Sequence, residues 1–209
     1  MLNPLKELIF SLLPTEKRFE RIHAKNRWSS EESVSGQGSE LAATAALRAA
    51  LPALFRELKI ERVLDAPCGD FNWMRHVLRE APVHYVGMDI VHDLVDRNNE
   101  LYGSKTVEFR HGNIITGPVP KADLIICRDC FIHLSFRDTA RALENFKASK
   151  SRYLLANSYP DVSRNEDIAT GRWRFINLAL PPYSYPPAQL KIEETEPGKE
   201  VWLWDLAKL

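Results

Sequence analysis

The sequence predicts one α/β domain, with a mostly parallel sheet covered by helices on both faces and closed by an antiparallel hairpin. Three observations predict it. From Arg62 onward, short apolar runs alternate with runs of helical character. The run Ala122–Cys127 is almost wholly apolar, as a strand buried on both faces must be. Near the end of the chain, two strand-like runs flank a Pro197-Gly198 turn. At 209 residues the chain fits a single domain with a core that needs no disulfide or metal staple.

The elements follow in order. Leu5–Leu13 has helical periodicity and stops at Pro14. A polar loop, Trp28–Ser39, is rich in serine and carries Gly36 and Gly38; its tryptophan needs a surface to lie on. Glu40–Leu58 reads as a helix that Pro52 kinks or restarts. Residues 1–59 thus form N-terminal helices and a loop belonging to the same domain as a core over 60–209.

Within that core, strands are expected at Arg62–Ala66, His84–Ile90, Val107–Arg110, Ala122–Cys127 and Tyr153–Ser158. Helices are expected at Asn72–Arg79, Val91–Tyr102 and Phe136–Ser149. Pro160–Pro187 is rich in Pro, Tyr, Trp and Asn and has no sustained period. Leu190–Thr195 and Glu200–Asp205 form the closing hairpin, the sixth and seventh strands.

Bulk composition excludes some functions. The 28 basic and 28 acidic side chains cancel, so no global field recruits nucleic acid or an anionic membrane. The basic run Lys17, Arg18, Arg21, Lys25 and Arg27 reads as a solvated face. Three cysteines, an odd number, do not read as a secreted disulfide framework. Met1–Leu13 lacks the uninterrupted apolar core and cleavage pattern of a signal peptide, and no run is long enough to span a bilayer. The expected compartment is the cytoplasm.

The segment Val63-Leu64-Asp65-Ala66-Pro67-Cys68-Gly69-Asp70-Phe71 carries the sharpest chemical signal, together with Tyr85-Val86-Gly87-Met88-Asp89-Ile90. A strand that ends in a tight turn and opens a helix brings backbone amides to a ligand at the carboxyl edge of a sheet. Gly69 has no Cβ to block approach, and Asp89, at the end of the next strand, can accept from two vicinal ribose hydroxyls.

These two segments resemble the first two motifs of class I S-adenosylmethionine-dependent methyltransferases, with Asp65 as the first-motif acid and Asp89 as the ribose-binding acid. Pro67 and Phe71 depart from the pattern, standing where glycines are common. "DAPCGDFNWM" and "ICRDCFIHLS" together resemble a bacterial branch of that class, and the Trp28–Ser39 loop resembles its N-terminal lid. The resemblance covers roughly residues 60–158. It implies a Rossmann-like fold with a seven-stranded sheet, S-adenosylmethionine as cofactor and methyl transfer as the reaction.

Carried over residue by residue, it implies cofactor contacts from Trp28, Asp65, Pro67, Cys68, Gly69 and Phe71. Trp73, Asp89, Ile90 and Arg128 join them, with Asn113 at the adenine amino group and Ile114 on the ring. The fourth-motif region faces the methyl group being moved. There Asp129 and His133, four apart, make a base and its orienting partner. Between the fifth strand and the hairpin, Tyr159, Trp173, Arg174 and Asn177 are expected at the acceptor, where a polar, aromatic lining suits a small or carbohydrate-like molecule.

Cys127-Arg128-Asp129-Cys130 matches C-x-x-C, with Cys68 and His133 as further ligands to consider, but one such pair without a second leaves no metal expected. The leading reading is O-methylation of a small-molecule or glycan acceptor, with N-methylation behind it. A nicotinamide-dependent oxidoreductase fits poorly because the turn is not G-x-G-x-x-G. A catalytically silent cofactor-binding module leaves the elaborated region after Pro160 without a use.

Overall fold

The computed structural model describes Phe10 and residues 12–209, so most of the helix expected over Leu5–Leu13 lies outside the described residues. Seven helices and strands lead up to the middle of the sheet: α1 (Thr15–Ala24), α2 (Ala45–Leu58), β1 (Arg62–Asp65), α3 (Met74–Glu80), β2 (His84–Asp89), α4 (His92–Tyr102) and β3 (Val107–His111). The rest are β4 (Leu124–Cys127), α5 (Phe136–Ala148), β5 (Tyr153–Ser158), β6 (Leu190–Glu193) and β7 (Glu200–Asp205). The sheet has seven strands in the order β3-β2-β1-β4-β5-β7-β6. β1 to β5 pair in parallel, whereas β7 runs antiparallel to β5 and β6.

Strand alternation explains the two core layers. On one face lie Leu64, Ile125, Cys127, Leu154 and Ala156; on the other lie Val63, Leu124, Ile126, Tyr153 and Leu155. Both faces are covered, so β4 is buried along its whole length, as its unbroken apolar run requires. Chain order reverses between β1 and β4, which leaves a crevice beyond their carboxyl ends.

Several boundaries shift from their expected positions for visible reasons. α2 starts at Ala45, not Glu40, after a turn in which Thr44 Oγ1 donates to the Glu40 carbonyl. Pro52 sits inside that helix without ending it, its ring on the buried side. α3 starts at Met74, not Asn72, because the Asn72 amide reaches away to Glu32 and to the Ser39 carbonyl. α5 begins as expected, with Ser135 Oγ accepting from the Asp138 amide. β6 ends at Glu193, and Glu194 turns inward to be buried.

No helix among the described residues is long and apolar enough to cross a membrane. Leu51, fully buried in α2, and Leu101, 55% exposed in α4, make a matched pair for testing the layers. Leu51→Ala is expected to cost about 2–5 kcal/mol in chemical denaturation, while Leu101→Ala stays within about 0.5 kcal/mol.

Candidate active site

The turn after β1 is pinned to both neighbouring strands. The Ala66 amide donates to the Ile126 carbonyl and the Cys68 amide to the Met88 carbonyl. Gly69 and Phe71 then take positive φ, at 56° and 59°. A Cβ on Gly69 would stand 2.3 Å from Ser35 Oγ, so the close approach that needs glycine here is made by the N-terminal loop.

Asp89, at the end of β2, is buried; one carboxylate oxygen accepts from the Gly69 amide at 3.1 Å, the other from the Val91 amide at 3.0 Å. Burial raises its pKa, opposed by those backbone donors. Each oxygen keeps a second lone pair, so the group is fixed and still able to accept twice.

A cavity lies over this edge, with about 980 Å³ of empty space including its open mouth. Its floor comes from the strand ends: Pro67, Cys68 and Gly69 after β1, Asp89 and Ile90 after β2, and Asn113 and Ile114 after β3. Arg128, Asp129 and His133 follow β4. Its roof, which sequence reasoning had only partly foreseen, is Thr15, Phe19 and His23 of α1 with Trp28, Val34 and Ser35 of the loop.

Three residues expected at the cofactor do not line the cavity. Asp65 lies behind the turn, accepting from the Tyr85 hydroxyl at 2.8 Å. Burial there pushes its carboxyl up to about 7, against the Tyr85 hydrogen bond and the Arg128 charge. Phe71 fills an aromatic cluster with Tyr85, Tyr102 and Phe109, ring centroids 5.0–5.3 Å away. Trp73 is buried beneath the Arg128 guanidinium, 5.8 Å from its ring centroid. Asn113 Oδ1 caps its own turn by accepting from the Ile115 amide.

The loop over the cavity is held by one carboxylate. Asp70 accepts from the Ser33 hydroxyl at 2.9 Å, from the Val34 amide at 3.0 Å and from the Ser35 hydroxyl at 3.3 Å, and its own amide donates to Ser35 Oγ at 2.8 Å. Glu32 adds contacts from Asn72 and from the Leu41 amide. Trp28 lies against the His133 ring, centroids 5.6 Å apart, which supplies the surface that its polar surroundings lacked.

Beyond β4 four charges meet. Arg128 pairs with Asp129 at 2.9 Å and with Glu194 at 2.6 Å; Lys199 pairs with Asp129 at 2.8 Å and with Glu194 at 3.0 Å. Three of these side chains are no more than 4% exposed. Burial alone would raise the Asp129 carboxyl, but Arg128 and Lys199 outweigh it and hold it below the usual carboxylate range. Asp129 has φ 50°, and its amide donates to Asn157 Oδ1. Asp129 Oδ1 and Asn157 Nδ2 are enclosed without partners, polarity that a polar ligand would satisfy.

His133 differs. Its Nδ1 lies 2.9 Å from the Arg172 carbonyl, and burial lowers its pKa despite that bond. A neutral ring that donates from Nδ1 keeps the Nε2 lone pair. Of the pair expected to work as base and orienter, His133 has the free basic nitrogen and Asp129 is committed to ion pairs.

The residues expected at the acceptor separate into two kinds. Arg174 is buried, donating to the Phe131 and Leu134 carbonyls and to the Tyr183 hydroxyl. Asn177 is buried too, donating to the Pro160 and Val162 carbonyls. Both hold the loop together. Trp173 is 53% exposed and packs edge-on against Phe175, which in turn meets Tyr159. None of these four expected residues lines the cavity itself.

Glu194 and Lys199 escaped sequence reasoning because they lie 66 and 70 residues beyond the partners they pair with. Asp70 and Ser33, 37 apart, escaped for the same reason; the serine-rich composition of the loop was the only available signal. Among the described residues no group of three or more His, Cys, Asp or Glu side chains stands ready to hold a metal. Cys127 and Cys130 lie in one core layer and Cys68 in the other.

Residues 63–149 match the family model for a methyltransferase domain. That segment is a methyltransferase domain, and the fold built around it is shared with S-adenosylmethionine-dependent methyltransferases. A search of curated proteins finds no sequence match. Among solved structures the fold is similar to human N-acetylserotonin methyltransferase in complex with SAM, at 14% identity and TM-score 0.63, covering 92% of this chain and 60% of that one. It is also similar to PigF with SAH, at 16% identity and TM-score 0.58, covering 78% and 55%. The methyltransferase domain of bacterial CtHen1 matches at 12% identity and TM-score 0.57, covering 78% of this chain and 99% of that domain. The chain therefore spans little more than half the length of the first two.

Two predictions follow from this geometry. Asp70→Asn should speed amide hydrogen exchange in residues 28–39 while leaving β4 unchanged, since the loop loses its common acceptor. Asp65, with a folded pKa of about 7 against about 3.9 unfolded, contributes stability that is complete below about pH 4 and lost as pH rises through 7. Asp65→Asn should remove that decline, read as the wild-type minus variant difference in unfolding free energy from pH 4 to 8.

Proposed function

We propose that the protein transfers a methyl group to a hydroxyl of a small acceptor, with His133 as the general base. The observation that carries this reading is the anchored, neutral imidazole in the cavity wall, its Nδ1 tied to Arg172 and its Nε2 free to accept a proton. Bound S-adenosylmethionine supplies a methyl carbon made electrophilic by its sulfonium.

The chain's own residues do the rest. Asp89 accepts the ribose hydroxyls with an orientation set by Gly69 and Val91. Asn113 and Ile114 take the adenine end, and the loop clamped by Asp70 keeps water from the reacting centre. Arg128 and Asp129, fixed by the hairpin, shape the wall beside His133 and align the acceptor. As the acceptor oxygen attacks, its proton passes to His133 Nε2. An amine acceptor needs no such base, which separates O- from N-methylation.

The test is methylation of a hydroxyl-bearing panel, read by mass spectrometry, in wild type and His133→Ala. The variant should lose about 10²–10³-fold in kcat with S-adenosylhomocysteine affinity unchanged. The wild-type rate should fall toward acid, below the ordinary imidazole range, and be flat near neutrality, because protonated His133 cannot accept. Full activity in His133→Ala, or turnover confined to amines, contradicts the proposal.

A further inference from the structure

Five large hydrophobic side chains are exposed among the described residues, and two of them, Trp173 and Phe175, touch each other. Their exposure has a local cause. The segment 171–174 pairs with 132–133: the Gly171 amide donates to the His133 carbonyl and the Arg174 amide to the Ile132 carbonyl. Side chains along it alternate, so Arg174 and Ile176 are buried while Trp173 and Phe175 face out.

The exposed pair continues an aromatic path that starts at Tyr159, within reach of the charged group after β4. Tyr159, following β5, is 5% exposed and close enough to feel the charges of Asp129 and Glu194. Its ring lies 4.6 Å from Phe175 at 57°, and Phe175 lies 4.5 Å from Trp173 at 69°. Exposure rises along the path from 5% to 45% to 53%. Arg172, which precedes Trp173, holds His133 through its carbonyl, so base and aromatic pair share one backbone segment.

The buried polar side chains of the loop are committed elsewhere. Asn165 donates to the Asn177 and Pro181 carbonyls and accepts from the Asn177 amide, and Arg174 and Asn177 are bound to backbone in the same way. Beside the exposed Arg164, Glu166 and Arg172, the loop offers ring surface outward. A phenolic hydroxyl, with a pKa of about 10, also releases its proton to an imidazole far more readily than an aliphatic hydroxyl does.

We infer that Phe175 and Trp173 form the acceptor platform, that Phe175 determines specificity, and that the acceptor is a planar aromatic ring bearing the hydroxyl to be methylated. This rests on the O-methylation reading and names its substrate class. The ring stacks on the exposed faces of the pair with its hydroxyl directed at His133; the O–H bond breaks toward Nε2 as the oxygen–methyl bond forms and the methyl–sulfonium bond breaks, its electron pair staying on sulfur so that S-adenosylhomocysteine leaves.

The test measures binding, so it does not depend on turnover. Full-length protein saturated with S-adenosylhomocysteine is titrated with 4-nitrophenol, 2-naphthol and methyl β-glucopyranoside by calorimetry, in wild type, Phe175→Ala, Phe175→Tyr and Trp173→Ala. The phenols should bind and the glucoside should not. Each alanine variant should weaken phenol binding roughly 10-fold with unchanged S-adenosylhomocysteine affinity, and Phe175→Tyr should restore it. Both side chains are half exposed, so folding is not at stake. No phenol binding, equal binding in the alanine variants, or glucoside binding of similar strength overturns the platform. Phenols that bind through Phe175 but are not methylated uphold the platform and refute O-methylation.

Discussion

An ionised side chain taken out of water must be matched by opposite charge or it destabilises the fold by several kcal/mol. Arg128, immediately after the central strand β4, imposes that constraint on this molecule. Its guanidinium is almost wholly buried, and Glu194 of the C-terminal hairpin is brought across the sheet to pair with it beside the neighbouring Asp129. Glu194 and Lys199 meet it there, and Asp129 completes an alternating ring of two cations and two anions. The ring fixes the strained Asp129 backbone, seats Arg128 over Trp73 and places the hairpin against the cavity. Gly38 closes the arrangement from the other side, because a Cβ there would stand 2.7 Å from Asp129 Oδ2.

The rest of the site follows from strand order. Reversal between β1 and β4 opens a crevice, and the turns after four parallel strands each contribute to it. Such a crevice is open to solvent on its own. Here α1 and the 28–39 loop cover it, and the loop stays down because one carboxylate, Asp70, gathers two hydroxyls and a backbone amide. The arrangement divides the labour between two acids near β1: Asp70 holds the cover, while Asp65 is sealed against Tyr85 and serves the core.

The fold was largely legible because its signals are local. Runs such as Leu124–Cys127 and the Pro197-Gly198 turn predict their own structure, and all seven strands sit within about two residues of expectation. Boundaries slipped where a distant partner claimed a residue, as Glu32 and Ser39 claim Asn72. At the site, motif spacing located Asp89, Gly69 and His133 in the cavity wall, because neighbouring strand ends carry them there. It could not separate residues that face the cavity from those that face away: Phe71 and Trp73 belong to the same turn and point into the core. Nor could it foresee that Arg174 and Asn177, polar and expected at the acceptor, would be consumed by backbone carbonyls.

The most direct test of this account is calorimetric titration of the full chain with S-adenosylmethionine and S-adenosylhomocysteine, with NAD in parallel. The account predicts roughly micromolar binding of both sulfur ligands, lost in Asp89→Ala, and no binding of NAD. Absence of binding by either sulfur ligand, or NAD binding that depends on Asp89, would contradict it.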